Sequence, residues 1–196
     1  VFCDEGAFDI DQSRAILQAG KAKGLRPRIH AHQLGRNGGV QLAVDLDCAS
    51  ADHCTHLDDS DIDALAGSQT VATLVPGAEF STRAPYPDAR RLFDAGVSVA
   101  IATDCNPGSS FTTSMAFCLS VAIRDMHFSP EQALWASTMG GAKALRREDI
   151  GHLAIGAVAD LTILNAPSYL HLGYRPGVDI ISRVIKAGNT SYQRAT

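Results

Sequence analysis

Asp104 stands where an apolar run, Val97–Ile101, gives way to Ala102-Thr103-Asp104-Cys105-Asn106-Pro107-Gly108-Ser109-Ser110. A carboxylate at the carboxyl end of a buried strand can act as a hard metal ligand or a general base, and parallel α/β folds place their chemistry on that rim. The Asn-Pro-Gly-Ser-Ser sequence predicts a tight turn whose glycine lets the backbone approach a ligand. Free N–H groups at the start of the following helix, near Thr112, are expected to hold an anion. His30 and His32 lie two apart on the stretch Arg28–His32; on a strand their side chains face the same way, and either could meet a metal ion. One of the two is expected to be a hydrogen-bonded core histidine. His53 ends another run, Cys48–His53, where an imidazole could polarise a carbonyl or bind metal. Singly, each reads as an ordinary turn aspartate or core histidine. Together, on three strand ends, His30, His53 and Asp104 count for more than each separately, as donors of the kind that His-rich zinc sites employ.

The elements that must position these residues alternate along the chain. Val1–Cys3 ends a strand, and a helix follows that is capped at Asp9 or Asp11 and closed by Gly24. Arg28–His32 precedes a helix opened by Gly38-Gly39, and Cys48–His53 precedes a helix capped at Asp58 or Asp59. Thr70–Leu74 is followed by a loop to Pro87 and a helix carrying Leu92 and Phe93. Five strand-then-helix units at this spacing predict a parallel sheet with right-handed crossovers. Ser129-Pro130-Glu131-Gln132 reads as a helix start with an N-cap, an N1 proline and a capping-box glutamine, and Ala144 and Leu145 belong to a further helix. From Gly151 the pattern changes to β, with strands over 159–164 and 178–187 around a loop of Pro, Tyr and Gly. The domain boundary therefore falls near Gly151, giving units 1–150 and 151–196.

Composition bounds the function. The 196 residues are 45% hydrophobic and 19% charged, a globular mixture, and the net charge of −4 offers no basic patch for nucleic acid. No apolar run approaches a membrane span. Five cysteines without paired spacing suit a reducing cytoplasm and read mostly as packing residues.

Taken together, Ile29-His30-Ala31-His32-Gln33-Leu34, Ser50-Ala51-Asp52-His53, Thr73–Ala78 and the loop Ala102–Ser110 resemble the imidazolonepropionase family of metal-dependent amidohydrolases. Val1–Phe8 and the return Gly151-His152-Leu153 to Asp160-Leu161 match as well. The resemblance implies the last five strands of a TIM-like (β/α)8 barrel with their helices, and the carboxyl-terminal part of a small β-sandwich domain. It also implies hydrolysis of the ring amide of 4-imidazolone-5-propanoate to N-formimidoyl-L-glutamate in histidine degradation, with one Zn2+ or Fe2+ per site and a cytoplasmic, homodimeric complete enzyme. By position, His30 and Asp104 would bind the metal. Asp104 and His53 would be catalytic, and Gln33, Asn106, Gly108 and Ser109 would contact substrate or product. Asn106 and the amides of Gly108 and Ser109 suit a propionate carboxylate.

The departures from that family are informative. Its paired H-x-H metal ligands lie on the first barrel strand, upstream of any segment matched here, so His30-Ala31-His32 is not that pair. His32 stands where an acidic residue is usual and receives no ligand role. Gln33 stands where some relatives have Glu, which leaves it hydrogen bonding but no proton transfer. The chain reads as a carboxyl-terminal half, expected to be inactive alone and poorly soluble, because an open set of five strands leaves two bare edges. Two other readings are a deaminase of a cyclic amidine on the same barrel, and a noncatalytic metal-binding half-domain.

Overall fold

A computed structural model describes residues 1–195. Five short parallel strands form one sheet in sequential order: β1 (Phe2–Cys3), β2 (Ile29–Ala31), β3 (Ser50–His53), β4 (Val71–Leu74) and β5 (Val99–Ile101). Sequential parallel order with a helix after every strand is the arrangement of a barrel wall. The register sets Phe2, His30, Asp52, Thr73 and Ala100 side by side in one row. The alternate row, Ile29, Ala51, Ala72 and Val99, is fully buried and packs under the helices.

Local chemistry explains the helices. α1 (Ile10–Ala22) is capped by Asp9 and α3 (Asp59–Ala66) by Asp58, each through a reciprocal capping box. α2 (Gly39–Asp45) opens after Gly38, whose φ of 84° needs a glycine. α5 (Ala89–Asp94) is capped by Asp88 and α6 (Met115–Asp125) by Ser114. α7 (Pro130–Trp135) carries the expected Ser129–Gln132 capping box and Pro130 at N1. It runs through a π turn, Ala136–Gly140, into α8 (Gly141–Ala144). Ile29, Leu42, Leu65, Leu74 and Leu92 are each at most 1% exposed and form the core between sheet and helices; each such side chain contributes about 1.5–3 kcal/mol.

Three expectations are corrected. The loop expected between Leu74 and Pro87 contains α4 (Pro76–Thr82), which starts with a proline and has no side-chain cap. The second strand stops at Ala31, so His32 is not a strand residue; its φ of 60° turns it away from the His30 face. The β region holds one strand more than expected. β6 (Leu161–Leu164), β7 (Ile181–Lys186) and β8 (Asn189–Gln193) form a separate antiparallel sheet. Within the loop between β6 and β7, a turn of helix, α9 (His171–Tyr174), docks on α6, where Ser120 Oγ donates to the Leu172 carbonyl at 3.0 Å.

Among the described residues, no helix is long and apolar enough to cross a membrane. Cys3, Cys48, Cys54 and Cys118 are buried, Cys105 is exposed, and none forms a disulfide.

Candidate active site

The carboxyl ends of β1, β2, β3 and β5 gather the titratable groups. His30 is the last interior-facing residue of β2, its ring 3.8 Å from that of Phe2 and 4.2 Å from that of His53. Its Nε2 is buried without a hydrogen-bond partner and lies 3.4 Å from Asp4 Oδ2. Burial lowers its pKa to about 4 against the opposing pull of Asp4, which keeps the imidazole neutral with a lone pair to offer.

His53 reaches the same place by an unusual route. In register it sits beside Ala31, a residue buried against α2, yet with a φ of 81° its ring lies against that of His30, tilted by 51°. Burial, then the neighbouring His30, lowers its pKa to about 3. Its Nε2 lies 3.8 Å from Asp104 Oδ2, while Nδ1 is buried and unpartnered.

Asp104 also has a left-handed backbone, with φ of 47°. Partial burial, and next the charge of Asp52, push its carboxyl above the ordinary range, which makes it a stronger base than a free aspartate. Asn106 organises the loop that follows. Its Nδ2 donates to the Asp104 carbonyl at 2.6 Å, to Asp104 Oδ2 at 3.0 Å and to Ser109 Oγ at 3.3 Å. Its Oδ1 accepts from the Gly108 and Ser109 amides at 2.8 and 2.9 Å. The free N–H groups expected at this loop are therefore engaged by Asn106, and the helix start is capped separately by Ser114. The loop rests on α4. A Cβ at Gly77 would lie 2.5 Å from Ser110 Oγ, which itself donates to the Thr103 carbonyl at 2.6 Å.

Gln33 lies on the rim loop after β2, its backbone N–H donating at 2.7 Å to Asp4 Oδ2, which also accepts from the Leu34 N–H at 3.1 Å. His32 is wholly buried with neither ring nitrogen hydrogen-bonded; its Nδ1 lies 3.5 Å from Asp61 Oδ2, and the Asp61 carboxylate accepts from Arg36 Nε and Gln41 Nε2 at 3.2 Å each. The structure thus brings His30, His53, Asp104 and Asn106 together and places Gln33 on an adjoining loop.

Sequence reasoning missed three buried carboxylates, Asp4, Asp61 and Glu79. Asp4 carried a signal, since it follows a strand as Asp104 does. Asp61 looked like one of several acids in a helix start, and Glu79 fell in what read as a loop.

The sequence profile described as "Amidohydrolase family" matches residues 12–190. The chain belongs to the amidohydrolase family. Relatives named imidazolonepropionase include one from Mycolicibacterium smegmatis, 66% identical over 193 residues, and one from Streptomyces avermitilis, 67% identical over 188. These matches cover 98% and 96% of this chain but 49% and 45% of the relatives, so the chain spans about half their length. Solved amidohydrolase-fold structures superpose on it as well. The atrazine chlorohydrolase of Arthrobacter aurescens complexed with zinc has a TM-score of 0.80 at 17% identity, over 97% of this chain and 49% of that one. An adenosine deaminase from Xanthomonas campestris with bound zinc has a TM-score of 0.76 at 22% identity, over 92% and 48%. At such identities these two share the fold, here a parallel wall of the TIM-barrel type.

The amidohydrolase rim fits a metal ion in kind. The unpartnered Nε2 of His30 and the rim carboxylate of Asp104 are the nitrogen and oxygen donors that Zn2+ and Fe2+ accept. Among the described residues, no group of three or more His, Cys, Asp or Glu side chains is placed to hold a metal ion.

Proposed function

We propose that this chain forms one wall of an active site that hydrolyses 4-imidazolone-5-propanoate to N-formimidoyl-L-glutamate. The observation that carries the reading is 66% identity across 193 residues to a protein named imidazolonepropionase, on a chain whose rim gathers His30, His53 and Asp104. His30 and Asp104 would hold the metal, which when bound supplies Lewis-acid polarisation of the ring carbonyl and of water. Asp104 then takes the proton of the attacking water at Oδ2, the oxygen facing His53. Water adds to the ring carbonyl, the carbonyl carbon to ring nitrogen bond breaks, and Asp104 returns the proton to the departing nitrogen. His53, neutral because burial lowers its pKa to about 3, acts as a hydrogen-bonding group to the oxygen that gains charge, not as a cation. Asn106, with the Gly108 and Ser109 amides now held on its Oδ1, is the reading's contact for the propionate; substrate entry would trade those internal bonds for a carboxylate. Gln33 offers its side-chain amide from the adjoining loop.

The same reading takes one Zn2+ or Fe2+ per site, a homodimer for the complete enzyme and a cytoplasmic setting, which five unpaired cysteines support. The test is a chimera that joins this chain to the half of the Mycolicibacterium smegmatis relative it does not match, loaded with Zn2+ or Fe2+. Loss of imidazolone absorbance with production of N-formimidoyl-glutamate is expected, falling by at least about a hundredfold in Asp104→Asn. Ammonia release from aminated rings instead would make the chain part of a deaminase. Stoichiometric metal binding without either reaction would make it a binding module.

A further inference from the structure

The turn that carries His53 is strained and has to be held. His53 and Cys54 are consecutive non-glycine residues with φ of 81° and 55°, each costing roughly 1–2 kcal/mol. On the β2 side the backbone holds the turn, with Cys54 N–H donating to the Ala31 carbonyl at 3.1 Å and His56 N–H to the His32 carbonyl at 3.0 Å. On the β4 side the side-chain tie is Thr55 Oγ1 donating to Glu79 Oε1 at 2.8 Å. Both partners are buried, Thr55 at 8% exposure and Glu79 at 2%.

Glu79 is an expensive way to fill that space. Its Oε2 is buried without a partner, and a leucine or methionine would occupy the volume with no polar atom to desolvate. What the carboxyl supplies, and an apolar side chain cannot, is an acceptor for Thr55. Its helix, α4, also bears on the Asp104 loop through Gly77 and Ser110, so one short element touches both strand ends that present catalytic side chains.

We infer that Glu79 is a positioning residue that, through Thr55, pins the left-handed turn at His53 and Cys54 and so holds the His53 imidazole over the site. The inference rests on the role given to His53 in the reading above. Burial raises the Glu79 pKa to about 7, so near neutrality the carboxyl is often protonated; glutamine, which keeps the Oε1 acceptor, then imitates it closely.

The test uses the 15N-labelled chimera described above, which supplies the half this chain does not match, and the variants Glu79→Met, Glu79→Gln, Thr55→Val and Glu79→Met with Thr55→Val. Amide exchange at Cys54, Thr55 and His56 and the 15N shifts of the His53 ring are read by NMR. Glu79→Met and Thr55→Val are each expected to speed exchange at these amides by roughly tenfold and to move the His53 ring signals, while amides of α1 keep their protection. The double variant is expected to match the single ones, and Glu79→Gln to stay within about twofold of the parent. The inference is overturned if Glu79→Met leaves the turn and the ring signals unchanged, if protection falls uniformly along the chain, if the two substitutions add, or if Glu79→Gln behaves as Glu79→Met. Should Glu79→Met fail to fold, the near-isosteric Thr55→Val and Glu79→Gln decide the matter by the same readings. Turnover is not among these readings, so a chimera that fails to hydrolyse the imidazolone overturns the reaction and not the pinning of the turn.

Discussion

Asp4 shows how much a single buried carboxylate can organise. Its two oxygens accept from the amides of Glu5, Gln33 and Leu34 at 2.9, 2.7 and 3.1 Å, so the end of β1 fixes the loop after β2. Asp4→Ala would strand these donors, two of them 29 and 30 residues away in sequence, and should lower stability by about 3 kcal/mol in urea denaturation. Glu79 yields a pH prediction. Its carboxyl is raised from 4.5 to about 7 by burial, offset in part by the Thr55 hydrogen bond, so the folded chain holds a proton there that the unfolded chain releases earlier. Stability contributed by that protonated state is present below about 4.5 and is lost as pH rises towards 7. Glu79→Gln should flatten that decline, seen as a smaller fall in the thermal midpoint between pH 5 and pH 7.5 than in the parent. The two differ in legibility: Asp4 follows a strand as Asp104 does, while Glu79 carries no such mark. Asp4 sits in an Asp-Glu-Gly triplet that reads as a turn, and Glu79 follows a Pro-Gly pair that reads as a loop.

Elements with their own chemical punctuation could be read directly. Asp9, Asp58 and Ser129 announce α1, α3 and α7 because each bonds the amide three residues on, a local event that needs no tertiary partner. Where position is set by contacts distant in sequence, the residues are silent. α4 begins without a side-chain cap and is held by packing against the Ser110 loop, and the left-handed turns at His32 and His53 are imposed by the surrounding fold with no glycine to mark them. The π turn Ala136–Gly140 is another such case. It presses on the outer edge of β5 so closely that a Cβ at Gly140 would lie 2.2 Å from the Val99 carbonyl oxygen, whereas one at Gly141 would meet nothing within 4 Å. Gly140→Ala should therefore destabilise the chain by about 1–3 kcal/mol, and Gly141→Ala should be neutral or stabilise it by up to about 1 kcal/mol, both read as thermal midpoints.

At the scale of the whole chain, spacing alone predicted the parallel five-strand sheet and further β strands after it, and both are present. The candidate site was legible as a set of strand-end residues, His30, His53 and Asp104, because in a parallel sheet every such end faces one rim. Its geometry was not, since two of the three depend on backbone conformations that the sequence does not spell out. His53 and Asp104 both hold positive φ, and Asp104 keeps a partly buried carboxylate beside the charge of Asp52. Asparagine tolerates this backbone well and carries no charge to desolvate. Asp104→Asn should thus melt about 2–4 °C above the parent, the shift that 1 kcal/mol produces in a chain of this size, even as it removes the base from the proposed reaction. Heat resistance and turnover would then pull this position in opposite directions. A library screened for survival at high temperature, with no demand for product, would be expected to discard Asp104 among its first changes.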